Sequence, residues 1–106
     1  MLNKSLLLAS LLVVCSTVYA DNKRFLLINH TTSAVCMFQA SAVYKTSWEE
    51  DILGASTIDT GDTKLINLED GTSNCYYDTK TTLCDGRESY RYRMNACTSI
   101  TLSIGD

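Results

Sequence analysis

The chain has 106 residues, enough for one small domain and no second. Its net charge of −3 carries no dense basic excess, which argues against phosphate-backbone binding as the main activity. One histidine and no close Cys-x-x-Cys pair leave a structural zinc site without its ligands, so no metal or other cofactor is expected.

The first twenty residues, MLNKSLLLASLLVVCSTVYA, place Lys4 ahead of an apolar run and end on small Ala20. The run is far too short to span a bilayer and reads as a secretory signal peptide cleaved after Ala20. Val14, directly before Cys15, is too large for lipoprotein processing. Residues 21–106 are then a single exported β domain without a membrane span, destined for the periplasm or the extracellular space. Setting Lys4 aside leaves eight basic against twelve acidic side chains, a net charge of −4.

Segments with strand character follow at 24–28, 34–40, 56–59, 64–68, 74–84, 88–96 and 99–104, separated by short turn signals. Asn29, His30, Thr31, Thr32 and Ser33 make a polar loop. Thr60-Gly61-Asp62 and Asp70-Gly71 allow positive φ where the chain reverses, and Asp85-Gly86 is the strongest hairpin signal. The spacing predicts an all-β, small antiparallel sandwich or barrel-like domain.

One stretch departs from this pattern. In TSWEEDILGAS, residues 46–56, Ser47 and Glu50 have the spacing of a capping box, Glu49 and Asp51 suit a first helical turn, and Gly54 supplies a stop. These signals predict one short helix at about 47–53. Trp48, the only tryptophan, is then expected to plug one end of the sandwich; the functional reading is a recognition loop built from an aromatic ring and three carboxylates.

Without Cys15, four cysteines remain, and in an exported domain they read as two disulfides. A three-residue loop at Asp85-Gly86-Arg87, centred on Gly86, sets Cys75 opposite Cys97 and leaves Cys36 for Cys84. A tight turn at Thr79-Lys80 would instead set Cys75 opposite Cys84 and leave Cys36 for Cys97. Asp-Gly is the better turn, and Thr79–Thr82 carry β-favouring side chains, so the first pairing is preferred.

The order S-W-x-x-D-I-L-G at 47–54, T-G-D at 60–62, C-x-Y-D at 75–78, D-G at 85–86 and Cys97 resembles a largely uncharacterised family of small exported bacterial proteins. Their running pattern is S-W-x-x-D-[IL]-L-G, C-x-Y-D, D-G, C. The resemblance spans nearly the whole of 21–106 and places Trp48, Asp51, Gly54, Cys75, Tyr77, Asp78, Asp85, Gly86 and Cys97 at motif positions. It implies that Cys75 and Cys97 are the shared pair, with Cys36 and Cys84 an additional bridge.

Candidate chemistry is sparse. His30 lies in a polar turn without a nucleophile motif. Asp51 and Asp78 are the carboxylate pair a small hydrolase would use, although buried Asp more often bonds to backbone amides. Asp59, Asp62, Glu69 and Asp70 offer oxygen ligands for calcium but no EF-hand loop. Tyr90 and Tyr92, with Arg91 and Arg93, form the best candidate binding surface, because Tyr and Arg carry interface energy disproportionately. The expected function is a disulfide-stabilised binding or structural module without catalysis, its partner an unknown protein or envelope ligand and not nucleic acid. An exported inhibitor or immunity-type protein blocking a periplasmic hydrolase is the first alternative, and a hydrolase using Asp51 and Asp78 the second.

Overall fold

In the computed structural model, which describes residues 22–105, six strands form where the sequence alternates. They are β1 (Arg24–His30), β2 (Val35–Ala42), β3 (Thr63–Asn67), β4 (Tyr76–Leu83), β5 (Glu88–Asn95) and β6 (Thr101–Gly105). The signal-peptide reading falls on residues 1–20, outside the described residues. Two three-stranded sheets result, ordered β3-β1-β6 and β2-β4-β5. All pairings are antiparallel except β1 with β6, which is parallel.

Period-two burial builds the core between the sheets. Phe25 and Leu27 of β1, Ile66 of β3 and Leu102 and Ile104 of β6 point inward from one sheet; Phe38, Ala40, Tyr77 and Leu83 do so from the other. Phe25 and Phe38 meet edge to face across the interface, with centroids 6.1 Å apart. Buried Asn29 ties a corner: its Nδ2 donates to the Ser33 and Ile58 carbonyls, while its Oδ1 accepts from the Thr31 amide and hydroxyl.

The disulfides are Cys36–Cys84 and Cys75–Cys97. The preferred pairing is therefore present, but the register reasoning behind it is corrected. Near the turn Thr82 faces Glu88 and Thr81 faces Ser89, two residues off a loop centred on Gly86. A bulge in β5, between the pairs Thr79–Arg91 and Tyr77–Met94, recovers one residue. Cys97 lies in the turn just beyond β5, and there reaches Cys75 despite the remaining offset.

The helix at about 47–53 does not form. A helical Ile52 amide would bond the Trp48 carbonyl; it instead donates to the Phe38 carbonyl of β2 at 2.8 Å. Glu49 N–H donates to the Ala40 carbonyl at 3.3 Å, and Ile58 and Val35 exchange a pair of bonds further along. Residues 49–58 thus run irregularly beside the outer edge of β2. The Asp51 side chain decides the contest. Its Oδ1 accepts from Leu53 N–H at 3.0 Å, closing a local turn, and from Phe38 N–H at 2.9 Å, standing where a neighbouring strand's carbonyl would stand. So short a helix could not outweigh edge bonds that are otherwise unmade. Ser47 does not cap, its carbonyl accepting from Ser41 Oγ, and Gly54 keeps its positive φ of 60° in a turn that ends no helix.

Candidate functional site

The outer face of the β2-β4-β5 sheet collects the aromatic side chains that the core does not take. Alternation along β4 turns Tyr77, Thr79 and Thr81 inward and leaves Tyr76, Asp78 and Lys80 outward. On β5 the register sets Tyr90 opposite Lys80, and Tyr92 follows two residues on. Trp48, carried by the edge segment, comes down onto the same face. It is half-buried outside the core, which corrects the expectation of a plug: the interior is filled by Phe25, Phe38, Leu27 and Ile66.

The three rings are continuous. Trp48 and Tyr90 have centroids 6.2 Å apart at a tilt, and Tyr90 stacks on Tyr92 at 5.9 Å with planes 6° apart. Lys80 Nζ sits over the indole at 5.6 Å, and the Arg93 guanidinium over the Tyr76 ring at 5.4 Å. Tyr92 is 63% exposed and Tyr90 42%. The Tyr90 hydroxyl donates to Glu88 Oε1 at 2.7 Å, and that bond to a carboxylate raises the phenol above its ordinary pKa.

The bulge in β5 aims these groups. Arg93 takes a positive φ of 54°, and its amide, out of register with the ladder, donates to Asp78 Oδ1 at 2.9 Å. Asp78 also lines a cleft of about 130 Å³ with Ser41, Lys45, Thr46, Ser47 and Trp48. Among the described residues Lys80, Arg91 and Arg93 have no carboxylate at ion-pair distance, whereas Lys23, Lys45 and Arg87 are each matched to one.

Other candidates fall apart from this face. Arg91 shares β5 with the tyrosines but faces the opposite way, its Nη2 donating to the Ser103 carbonyl of β6 at 3.3 Å. Asp51 stands beyond the free edge of β2 while Asp78 bonds into β5, so the two carboxylates lie roughly two strand spacings apart, on the order of 10 Å or more. Asp59 and Asp62 precede β3, and Glu69 and Asp70 follow it. Among the described residues no three His, Cys, Asp or Glu side chains converge to hold a metal ion, and no helix is long and apolar enough to cross a membrane. His30 is exposed at the end of β1, and Asp85 closes the hairpin by accepting from the Arg87 amide at 3.1 Å beside Gly86 at φ 97°.

Sequence reasoning missed one polar centre altogether. Lys23, whose side chain is 0% exposed, donates from Nζ to Asp70 Oδ1 at 2.9 Å, to the Thr72 carbonyl at 2.9 Å and to the Tyr77 hydroxyl at 3.0 Å. The Tyr77 hydroxyl in turn donates to Asp70 Oδ2 at 2.7 Å. Burial by itself disfavours both charges, yet the reciprocal bonds outweigh it. Lys23 is held above the ordinary lysine range and Asp70 below the ordinary carboxylate range. No local sequence signal marks a lysine for burial. Its partners lie 47 and 54 residues away.

Comparisons with family models, with curated proteins and with solved structures found no match.

Proposed function

We propose that the chain is an exported, non-catalytic binding module whose contact surface is the outer face of the β2-β4-β5 sheet. The observation that carries this reading is the continuous Trp48–Tyr90–Tyr92 row beside Lys80 and Arg93, cations with no ion-pair partner among the described residues. Tyr and Trp supply contact area with little side-chain entropy to lose, and Arg is enriched beside them in binding hot spots, which suits a binding face better than a solvated one. Export is supported by the two disulfides, which belong to an oxidising compartment, and by the signal-like first twenty residues; periplasm and extracellular space both fit.

Kinship with the small exported bacterial proteins is part of the proposal. It is supported by the structural work its motif residues do here: Asp51 at the β2 edge, Tyr77 on Lys23, Asp78 at the bulge, and Asp85-Gly86 at the hairpin. The test is retention of residues 21–106 on isolated envelopes of the source organism, against a Tyr90→Ser/Tyr92→Ser variant of equal melting temperature. Loss of retention in the variant is expected. Equal retention would place the contact surface elsewhere.

A further inference from the structure

The composition of the aromatic face narrows what it can hold. Among the described residues the large aliphatic side chains that reach solvent do so elsewhere: Leu26 and Leu65 pair on the outside of the other sheet, Ile52 lies in the edge segment and Ile100 just before β6. A protein interface core mixes aliphatic and aromatic surface. This face instead offers rings, the cations Lys80 and Arg93, the carboxylates Glu88 and Asp78, and a cleft lined in part by Ser41, Thr46 and Ser47.

Such a mixture matches a sugar. The C–H bonds on one side of a pyranose ring present positive edges to the negative face of an aromatic ring, while the hydroxyls around its rim need charged or polar partners in plane. Trp48 and Asp78 line the same cleft, of about 130 Å³, which is room for a single saccharide unit with part of its surface left to water. Asp78 spends Oδ1 on the Arg93 amide, and its other oxygen has no partner among the described residues. That oxygen is an acceptor for a sugar hydroxyl. Beyond the cleft, one face of Tyr92 is taken by Tyr90 and the other is left for a second unit. Lys80 and Arg93 favour a chain that carries negative charge at its units nearest them, since each is close to the rings and neither has an ion-pair partner among the described residues, while the Asp78 carboxylate is left to the hydroxyls of the unit in the cleft.

Resting on the binding reading above, we infer that the aromatic face binds an acidic oligosaccharide, with one unit between Trp48 and Asp78 and the chain running over Tyr90 and Tyr92. Trp48 is the sole tryptophan, so its fluorescence reports on the cleft directly. Residues 21–106 are titrated with hexagalacturonate, with a sialylated hexasaccharide and with a sulfated chondroitin hexasaccharide, and with maltohexaose, cellohexaose and chitohexaose as neutral counterparts. At least one acidic chain is expected to give a saturable change, weakened about tenfold or more by Lys80→Gln and by Tyr92→Ser, and weakened by added salt. No response to any acidic chain, equal affinity for a neutral one, or undiminished binding in both variants overturns the inference. Asp78→Asn, which keeps an acceptor for the Arg93 amide, guards against misfolding and is expected to weaken binding too. If no saccharide binds while envelope retention still depends on Tyr90 and Tyr92, the saccharide assignment falls and the binding reading stands; if retention is also indifferent to them, both fall.

Discussion

Replacing Asp70 by Asn should expose the energetic weight of the buried lysine. The substitution keeps the shape and an acceptor oxygen but removes the charge that compensates Lys23, whose ammonium is wholly enclosed. Removing one partner of a fully buried ion pair costs about 3–5 kcal/mol. Asp70 is 41% exposed, so solvent screens part of the attraction, and Lys23 keeps the Thr72 carbonyl and the Tyr77 hydroxyl. The expected cost is therefore about 2 kcal/mol near neutral pH, read as a lower urea midpoint with an unchanged slope. The pH dependence is a sharper test. Asp70 has a lowered pKa in the folded state, so its stabilisation is complete above the unfolded carboxylate value of about 3.9 and is lost as pH falls below it. Lys23 has a raised pKa, so its stabilisation is complete below about 10.4 and is lost as pH rises further. The gap between wild type and Asp70→Asn should be level from about pH 5 to 9 and close progressively below about pH 4. A gap under 0.5 kcal/mol, or one that does not shrink in acid, would refute the account of the pair as a compensated buried charge.

Asp51→Ala removes the acceptor of two backbone amides and should cost about 1–3 kcal/mol, with markedly faster hydrogen exchange at the Phe38 amide; unchanged exchange there would mean the edge is held by something else. Trp48→Ala should cost only about 1–2 kcal/mol by chemical denaturation, because the ring lies on the sheet's outer face, against about 3–5 for Phe38→Ala in the core. Peptide mapping without reduction should recover Cys36 with Cys84 and Cys75 with Cys97. Replacing the Cys75–Cys97 pair by Ser should lower stability by about 3 kcal/mol, as expected for closing a loop of 22 residues.

Strand identity was legible because burial has a period of two in this chain, and Tyr77, Thr79, Thr81 and Leu83 show it as plainly in the sequence as in the sheet. Register was less so. The β5 bulge depends on Asp78 receiving the Arg93 amide, a cross-strand bond that no turn residue announces. The helical reading of about 47–53 rested on real local signals, Ser47, Glu50 and Gly54, but local propensity competes with whatever the segment lies against. Here it lies against β2, whose outer amides and carbonyls would otherwise be left open at a sheet edge. The candidate binding surface was half legible: Tyr90, Tyr92 and Arg93 share it, Arg91 is turned away, and Trp48 and Lys80 join from segments that only the fold brings together.

The two sides of the β2-β4-β5 sheet therefore have different explanations. Along its β2 edge every conspicuous residue of the segment 49–58 has a structural task, and removing Asp51 leaves amides without an acceptor. On its outer face the conspicuous residues have much less to do for the fold. Tyr92 is exposed over more than half its surface, and exposed cation–π pairs such as Lys80 with Trp48 contribute only about 0.5–1 kcal/mol. Contiguous exposed aromatic surface is also a liability for a small domain, since it invites association. Strand formation at positions 90 and 92 would be met about as well by Thr, a β-favouring residue that suits an outward-facing position. The exposed parts of the Tyr90 and Tyr92 rings thus do little for the core, which supports the proposed contact surface.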